Sequence, residues 1–93
     1  MTREMEKLRD MLTKSDIYWW DDSDRGYLSI DRTKFVYNDI QYSVIHGHGT
    51  FGGYNLFDKD KELLEMMAGN NEPIGYLTAL DVMSYVTGLR RTI

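Results

Sequence analysis

The residues best equipped for chemistry lie in one stretch, His46-Gly47-His48-Gly49-Thr50-Phe51-Gly52-Gly53-Tyr54-Asn55, which holds both histidines and four of the eight glycines. Gly47 to Gly52 matches G-x-G-x-x-G. A dinucleotide site also needs a helix opening at the third glycine and an acidic residue about 20 positions further on. Gly53-Tyr54-Asn55-Leu56-Phe57-Asp58 starts no helix, so a Rossmann site is set aside. Glycine-rich turns can still present consecutive backbone N–H groups to an anion. A small nucleotide would then be held by His46, Gly47, His48, Gly49, Thr50, Phe51, Gly52, Gly53 and Tyr54. Thr50 would lend a hydroxyl, a histidine a switchable donor, and Phe51 or Tyr54 a flat face for a base. The plainer reading is a strand connection that needs positive φ, with Phe51 and Tyr54 capping the core. His46-x-His48 is half of a metal site. Without C-x-x-C or H-E-x-x-H, and with Asp58 or Asp60 needed to complete it, no metal and no cofactor is expected.

The second group is acidic and aromatic. Ile17, Tyr18, Trp19 and Trp20 form a β-prone run followed by Asp21, Asp22, Ser23 and Asp24, and with Asp16 this places four Asp within nine residues. A solvated loop beside a strand whose aromatics enter the core accounts for the pattern. A protein-binding surface made by Asp16, Trp19, Trp20, Asp21, Asp22 and Asp24 accounts for it too, because aromatic residues anchor interfaces and carboxylates steer basic partners. Catalysis is not indicated: Ser15, Ser23, Ser29, Ser43 and Ser84 show no nucleophile elbow. Direct nucleic-acid binding is not expected either. Arg3, Lys7 and Arg9 alternate with Glu4, Glu6 and Asp10, and the pair Arg90-Arg91 is accounted for by the end of a helix.

Ninety-three residues with 42% hydrophobic and 28% charged side chains bound these readings to one small soluble domain, residues 1–93. A chain this short buries only about 60–65% of its unfolded surface, which leaves little room for a deep cleft. The absence of Cys excludes a disulfide framework and suits a reducing cytoplasm. The opening MTREMEKLRDML has no apolar core of the signal-peptide kind, and no segment reaches the ~20 apolar residues of a membrane span. A formal charge of −4 opposes attraction to nucleic acid or an anionic membrane and favours a basic protein surface.

The elements that must carry these groups emerge from periodicity. Met5, Leu8, Met11 and Leu12 stripe a helix over Thr2 to Lys14, with Thr2 as N-cap and Glu4 in its first turn. A two-residue turn at Asn38-Asp39 would pair Tyr37 with Ile40, Phe35 with Tyr42 and Thr33 with Val44 on one face. Lys34, Val36, Gln41 and Ser43 fall on the other. Tyr27, Leu28 and Ile30 suggest a further short strand. Asp58 to Ala68 reads by propensity as a helix stopped by Gly69. It reads equally as strand Leu63 to Ala68, turned through Gly69-Asn70-Asn71-Glu72 into strand Ile74 to Leu77. The hairpin is preferred because Ile74 to Leu77 needs a neighbour. Thr78-Ala79-Leu80-Asp81 resembles a capping box, and Gly88 ends the helix it opens. The expected fold is α+β: a small antiparallel sheet of three to five strands with N- and C-terminal helices packed on one face.

The aromatic strand ending in His-Gly-His-Gly-Thr-Phe-Gly-Gly-Tyr, then Leu63-Leu64-Glu65-Met66, then Glu72-Pro73-Ile74-Gly75-Tyr76-Leu77-Thr78-Ala79, resembles small proteins encoded by phages and prophages of Firmicutes over residues 27–87. No assigned activity comes with the resemblance, so no residue role is carried over. What it implies is a phage-type accessory protein that works in the host cytoplasm by stoichiometric binding. The leading expectation is a counter-defence inhibitor that covers the basic surface of a host protein such as a CRISPR nuclease. The alternatives are a sponge that sequesters a small nucleotide, for which an oligomer would complete the pocket, and a structural or regulatory phage protein without ligand.

Overall fold

The computed structural model describes residues 3–24, 26, 30–47 and 63–88. Helix α1 (Arg3–Lys14) precedes strands β1 (Trp19–Asp21), β2 (Asp31–Tyr37), β3 (Ile40–His46), β4 (Leu64–Ala68) and β5 (Ile74–Leu77), and helix α2 (Ala79–Thr87) comes after them. The strands pair antiparallel in the order β1-β2-β3-β4-β5, so β1 and β5 are the two edges. Both helices pack against the sheet, as the α+β expectation requires. Met5, Leu8 and Leu12 of α1 and Val82, Met83 and Val86 of α2 meet Phe35, Tyr42, Val44, Leu64, Met66 and Leu77 in a single cluster.

The β2–β3 register is the one the turn dictates. Asn38 and Asp39 have φ of 51° and 64°, the paired left-handed conformations that match strand twist in a two-residue hairpin. They set Tyr37 opposite Ile40, Phe35 opposite Tyr42 and Thr33 opposite Val44. The rings of Phe35 and Tyr42 stack with centroids 5.1 Å apart. Ile40, at the turn end of this face, is exposed.

Within Asp58 to Ala68, the described part is strand. Leu64 and Met66 are buried while Glu65 and Met67 are not, the alternation a half-buried strand needs. Helix propensity yields here to pairing on both sides, β3 and β5. Residues 58–62 lie outside the described residues, as do Thr2, Tyr27, Leu28, Arg90 and Arg91. Ile30 forms an isolated bridge with Asp24.

Two helix ends are closed by specific hydrogen bonds. At the start of α2, the Thr78 side chain accepts from Asp81 N (3.1 Å) and the Asp81 carboxylate accepts from Thr78 N (3.0 Å), completing the capping box. Glu4 Oε1 of α1 accepts from Ala79 N at 2.9 Å and satisfies a further orphan donor. At the end of α1, Ile17 N donates to Leu12 O (2.9 Å) and Asp16 N to Thr13 O (3.1 Å). This is a Schellman motif with Asp16 as its left-handed residue, at φ 60°. Leu12 and Ile17, the apolar pair that accompanies such a motif, are both in the core.

Candidate functional site

The Schellman motif delivers the chain into β1. From Ile17 onward the residues alternate: Ile17 enters the core, Tyr18 is 77% exposed, Trp19 packs against the core, and Trp20 stands opposite Lys34 on the outer face. Trp19 is fixed from three sides. It pairs with Phe35, its indole N–H donates to Thr13 Oγ1 (2.9 Å), and the Arg9 guanidinium lies 5.0 Å from its ring centroid. The Trp20 ring stacks on Tyr18 with centroids 5.8 Å apart and planes 29° from parallel. Trp19 and Trp20 therefore serve opposite faces, and the aromatic pair on the outer face of this edge is exposed Tyr18 with half-buried Trp20.

The four carboxylates divide in two. Asp21 meets the Arg9 guanidinium at 3.3 Å and accepts from Ser23 N. Asp22 meets Lys34 Nζ at 3.1 Å and Arg32 at 3.5 Å. The hydrogen bond and charge of Lys34, with a smaller share from Arg32, hold the Asp22 carboxyl below its ordinary value of 3.8. Asp24 accepts from Gly26 N at 2.9 Å and is exposed. Asp16 is exposed as well, and among the described residues no cation pairs with it or with Asp24. Arg9, Arg32 and Lys34 thus answer Asp21 and Asp22, and the carboxylates of this group that pair with no cation among the described residues are Asp16 and Asp24.

A shallow, solvent-open cavity of about 280 Å³ lies at the junction of α1 and β1, lined by Thr13, Asp16, Ile17, Tyr18 and Trp19. Its position comes from the αL turn at Asp16, which carries the chain away from the helix axis before β1 begins.

Of the glycine-rich candidates, His46 and Gly47 are described, whereas His48, Gly49, Thr50, Phe51, Gly52, Gly53 and Tyr54 lie outside the described residues. His46 Nδ1 lies 3.0 Å from Leu63 O. A carbonyl only accepts, so Nδ1 carries a proton in this contact. Gly47 is buried, and a Cβ there would come within 3.1 Å of Ile30 Cγ1 and 3.3 Å of its Cα. Ile30 is the hinge between the two candidate groups: its backbone pairs with Asp24 on one side and Gly47 packs against it on the other. Asp24 and Gly47 therefore lie at the same end of the sheet.

Sequence reasoning passed over two residues of this edge. Tyr18 was hidden by the paired tryptophans, though strict alternation from the buried Ile17 places it outside. Arg9 read as one of several charges on α1, but its position four residues after Met5 and three before Leu12 puts it inside the apolar stripe. No family model, curated protein or solved structure matches the chain.

Proposed function

We propose that this chain acts without catalysis, by stoichiometric binding of a partner protein that has a basic surface, and that the β1 edge is the binding surface. The stack of exposed Tyr18 on half-buried Trp20, at the outer face of β1, carries this reading. Two rings already held against each other bring large contact area at small entropic cost, the property that makes aromatic residues interface anchors. Asp16 and Asp24, on either side of the stack in sequence, carry carboxylates with which no described cation pairs, which suits a partner rich in Lys and Arg. Surfaces that grip nucleic acid are of that kind. Joined to the resemblance to phage proteins, the reading is of a counter-defence inhibitor that covers such a surface on a host protein, a CRISPR nuclease being one example, in the host cytoplasm.

The test is affinity capture from nuclease-treated Firmicute lysate at low and moderate salt. It compares the wild-type chain, the double variant Tyr18→Ala/Trp20→Ala, and the remote surface variant Leu80→Ala. The expected result is one stoichiometric protein held by the wild type and by Leu80→Ala, lost from the double variant and weakened by salt. Capture that survives loss of both rings and is indifferent to salt would overturn the proposal.

A further inference from the structure

We infer that the cavity beside Asp16 receives a guanidinium side chain, an arginine of the partner protein. The inference rests on the partner-binding reading and names the group that this part of the edge recognises.

The polar groups of the cavity point to a cation. Thr13 Oγ1 donates to Arg9 O (2.9 Å), so its only hydrogen is committed, and it accepts the indole N–H of Trp19. The backbone N–H of Asp16 is spent on Thr13 O. Apart from the Tyr18 hydroxyl, what these side chains offer a visitor is acceptors and aromatic surface: the Asp16 carboxylate, the remaining lone pair of Thr13, and the rings of Tyr18 and Trp19. The negative end of the α1 dipole lies at the same place. An anion finds little to bind there and much to repel it. A planar cation rich in donors fits: a guanidinium can fork onto the carboxylate while lying on an aromatic face, whereas an ammonium acts as a point charge. Trp19 already accepts that geometry within the chain, from Arg9.

Asp16 is also the wrong residue for its backbone. The left-handed position of a Schellman motif is usually Gly or Asn, and an anion at a helix C-terminus is disfavoured by the dipole. A residue disfavoured at its site on both conformational and electrostatic grounds, lining a cavity and paired with no cation among the described residues, is accounted for by a ligand that needs its carboxylate.

The experiment titrates N-acetyl-L-arginine amide into the full chain and tracks backbone amides and the Trp19 indole N–H by NMR. N-acetyl-L-lysine amide and inorganic phosphate serve as comparisons. Expected are saturable shifts confined to residues 13–19 with the arginine probe, smaller ones with lysine and none with phosphate. Asp16→Asn should weaken binding of the arginine probe about threefold or more. Glu72→Gln, at the distant β4–β5 turn, should leave it unchanged. Shifts that do not saturate, that persist undiminished in Asp16→Asn, or that phosphate reproduces would overturn the inference. If the cavity ignores arginine while Tyr18→Ala/Trp20→Ala still abolishes capture, this inference fails and the partner-binding reading stands. If the cavity takes arginine but that double variant captures protein as the wild type does, the cavity is not a partner contact and the inference is overturned in that respect.

Discussion

Asp16 shows at the scale of one residue how stability and recognition pull apart. Its φ of 60° suits glycine, and it carries a negative charge two residues beyond Lys14, at the negative end of α1. A non-glycine residue in the left-handed region carries a penalty of about 1 kcal/mol, and an unfavourable charge at a helix end adds a few tenths more. Asp16→Gly should therefore raise the stability of the chain by about 1 kcal/mol in urea denaturation, with an unchanged slope. Asp16→Asn should fall between the two, since Asn tolerates the left-handed conformation and has no charge. A loss of stability in Asp16→Gly would mean that the carboxylate has a structural task in the fold. Asp21 and Asp22 make the contrast, because their carboxylates are engaged by Arg9, Lys34 and Arg32 and their replacement would disturb the edge itself.

Among the elements, α2 depends on a group 75 residues away in sequence. Thr78 and Asp81 cap its start locally, and Glu4 of α1 adds a bond to Ala79 N at 2.9 Å. Hydrogen bonds from backbone N–H to a carboxylate at a helix start are among the stronger ones. Glu4→Ala should destabilise the chain by about 1–2 kcal/mol in urea denaturation. Glu6→Ala, exposed on the same helix, should stay within about 0.5 kcal/mol of wild type. Equal effects would show that Glu4 does no more than any first-turn acid. The Thr78 box was legible in the sequence because its parts are three residues apart; the Glu4 bond was not, because it exists only once α1 and α2 lie side by side. The same division runs through the strands. The turn at Asn38-Asp39 and the alternation around it fixed the β2–β3 register from local information alone. The β4–β5 hairpin was harder, since Leu63 to Ala68 satisfies helix and strand patterns alike until a neighbouring strand is present to choose between them. Alternation decides which of Trp19 and Trp20 faces the helices once Ile17 is known to be buried, and that burial depends on where α1 docks.

The molecule as a whole is two layers whose union at the β1 side is made by a buried charge. Arg9 is only 8% exposed. From α1 its guanidinium donates to Thr33 Oγ1 (2.7 Å) and to Arg32 O (3.3 Å), meets Asp21 at 3.3 Å and lies over Trp19. One side chain thereby ties α1 to both β1 and β2 and holds the acidic, aromatic edge against the body of the fold. Counting charges along the sequence suggests a dense acidic patch, whereas folding brings cations from α1 and β2 onto Asp21 and Asp22 and leaves, among the described residues, only Asp16 and Asp24 of the four without a cation partner. The consequence is that Arg9 sets the geometry of the proposed binding surface without forming part of it. In Arg9→Met, Asp21 is exposed enough to rehydrate, and Thr33 keeps its contact to Met5 Sδ at 3.2 Å. The loss should then be the guanidinium hydrogen bonds and their packing, about 2–3 kcal/mol of global stability. Hydrogen exchange gives the sharper test: amides of β1 should lose protection beyond the global change, while the centre of β3 tracks it. Arg9→Lys should recover part of the stability but little of the β1 protection, because an ammonium cannot reach Thr33, Arg32 and Asp21 together. Protection lost evenly across β1 and β3 would mean that Arg9 fills space in the core and leaves the placement of the edge to the β1–β2 ladder alone.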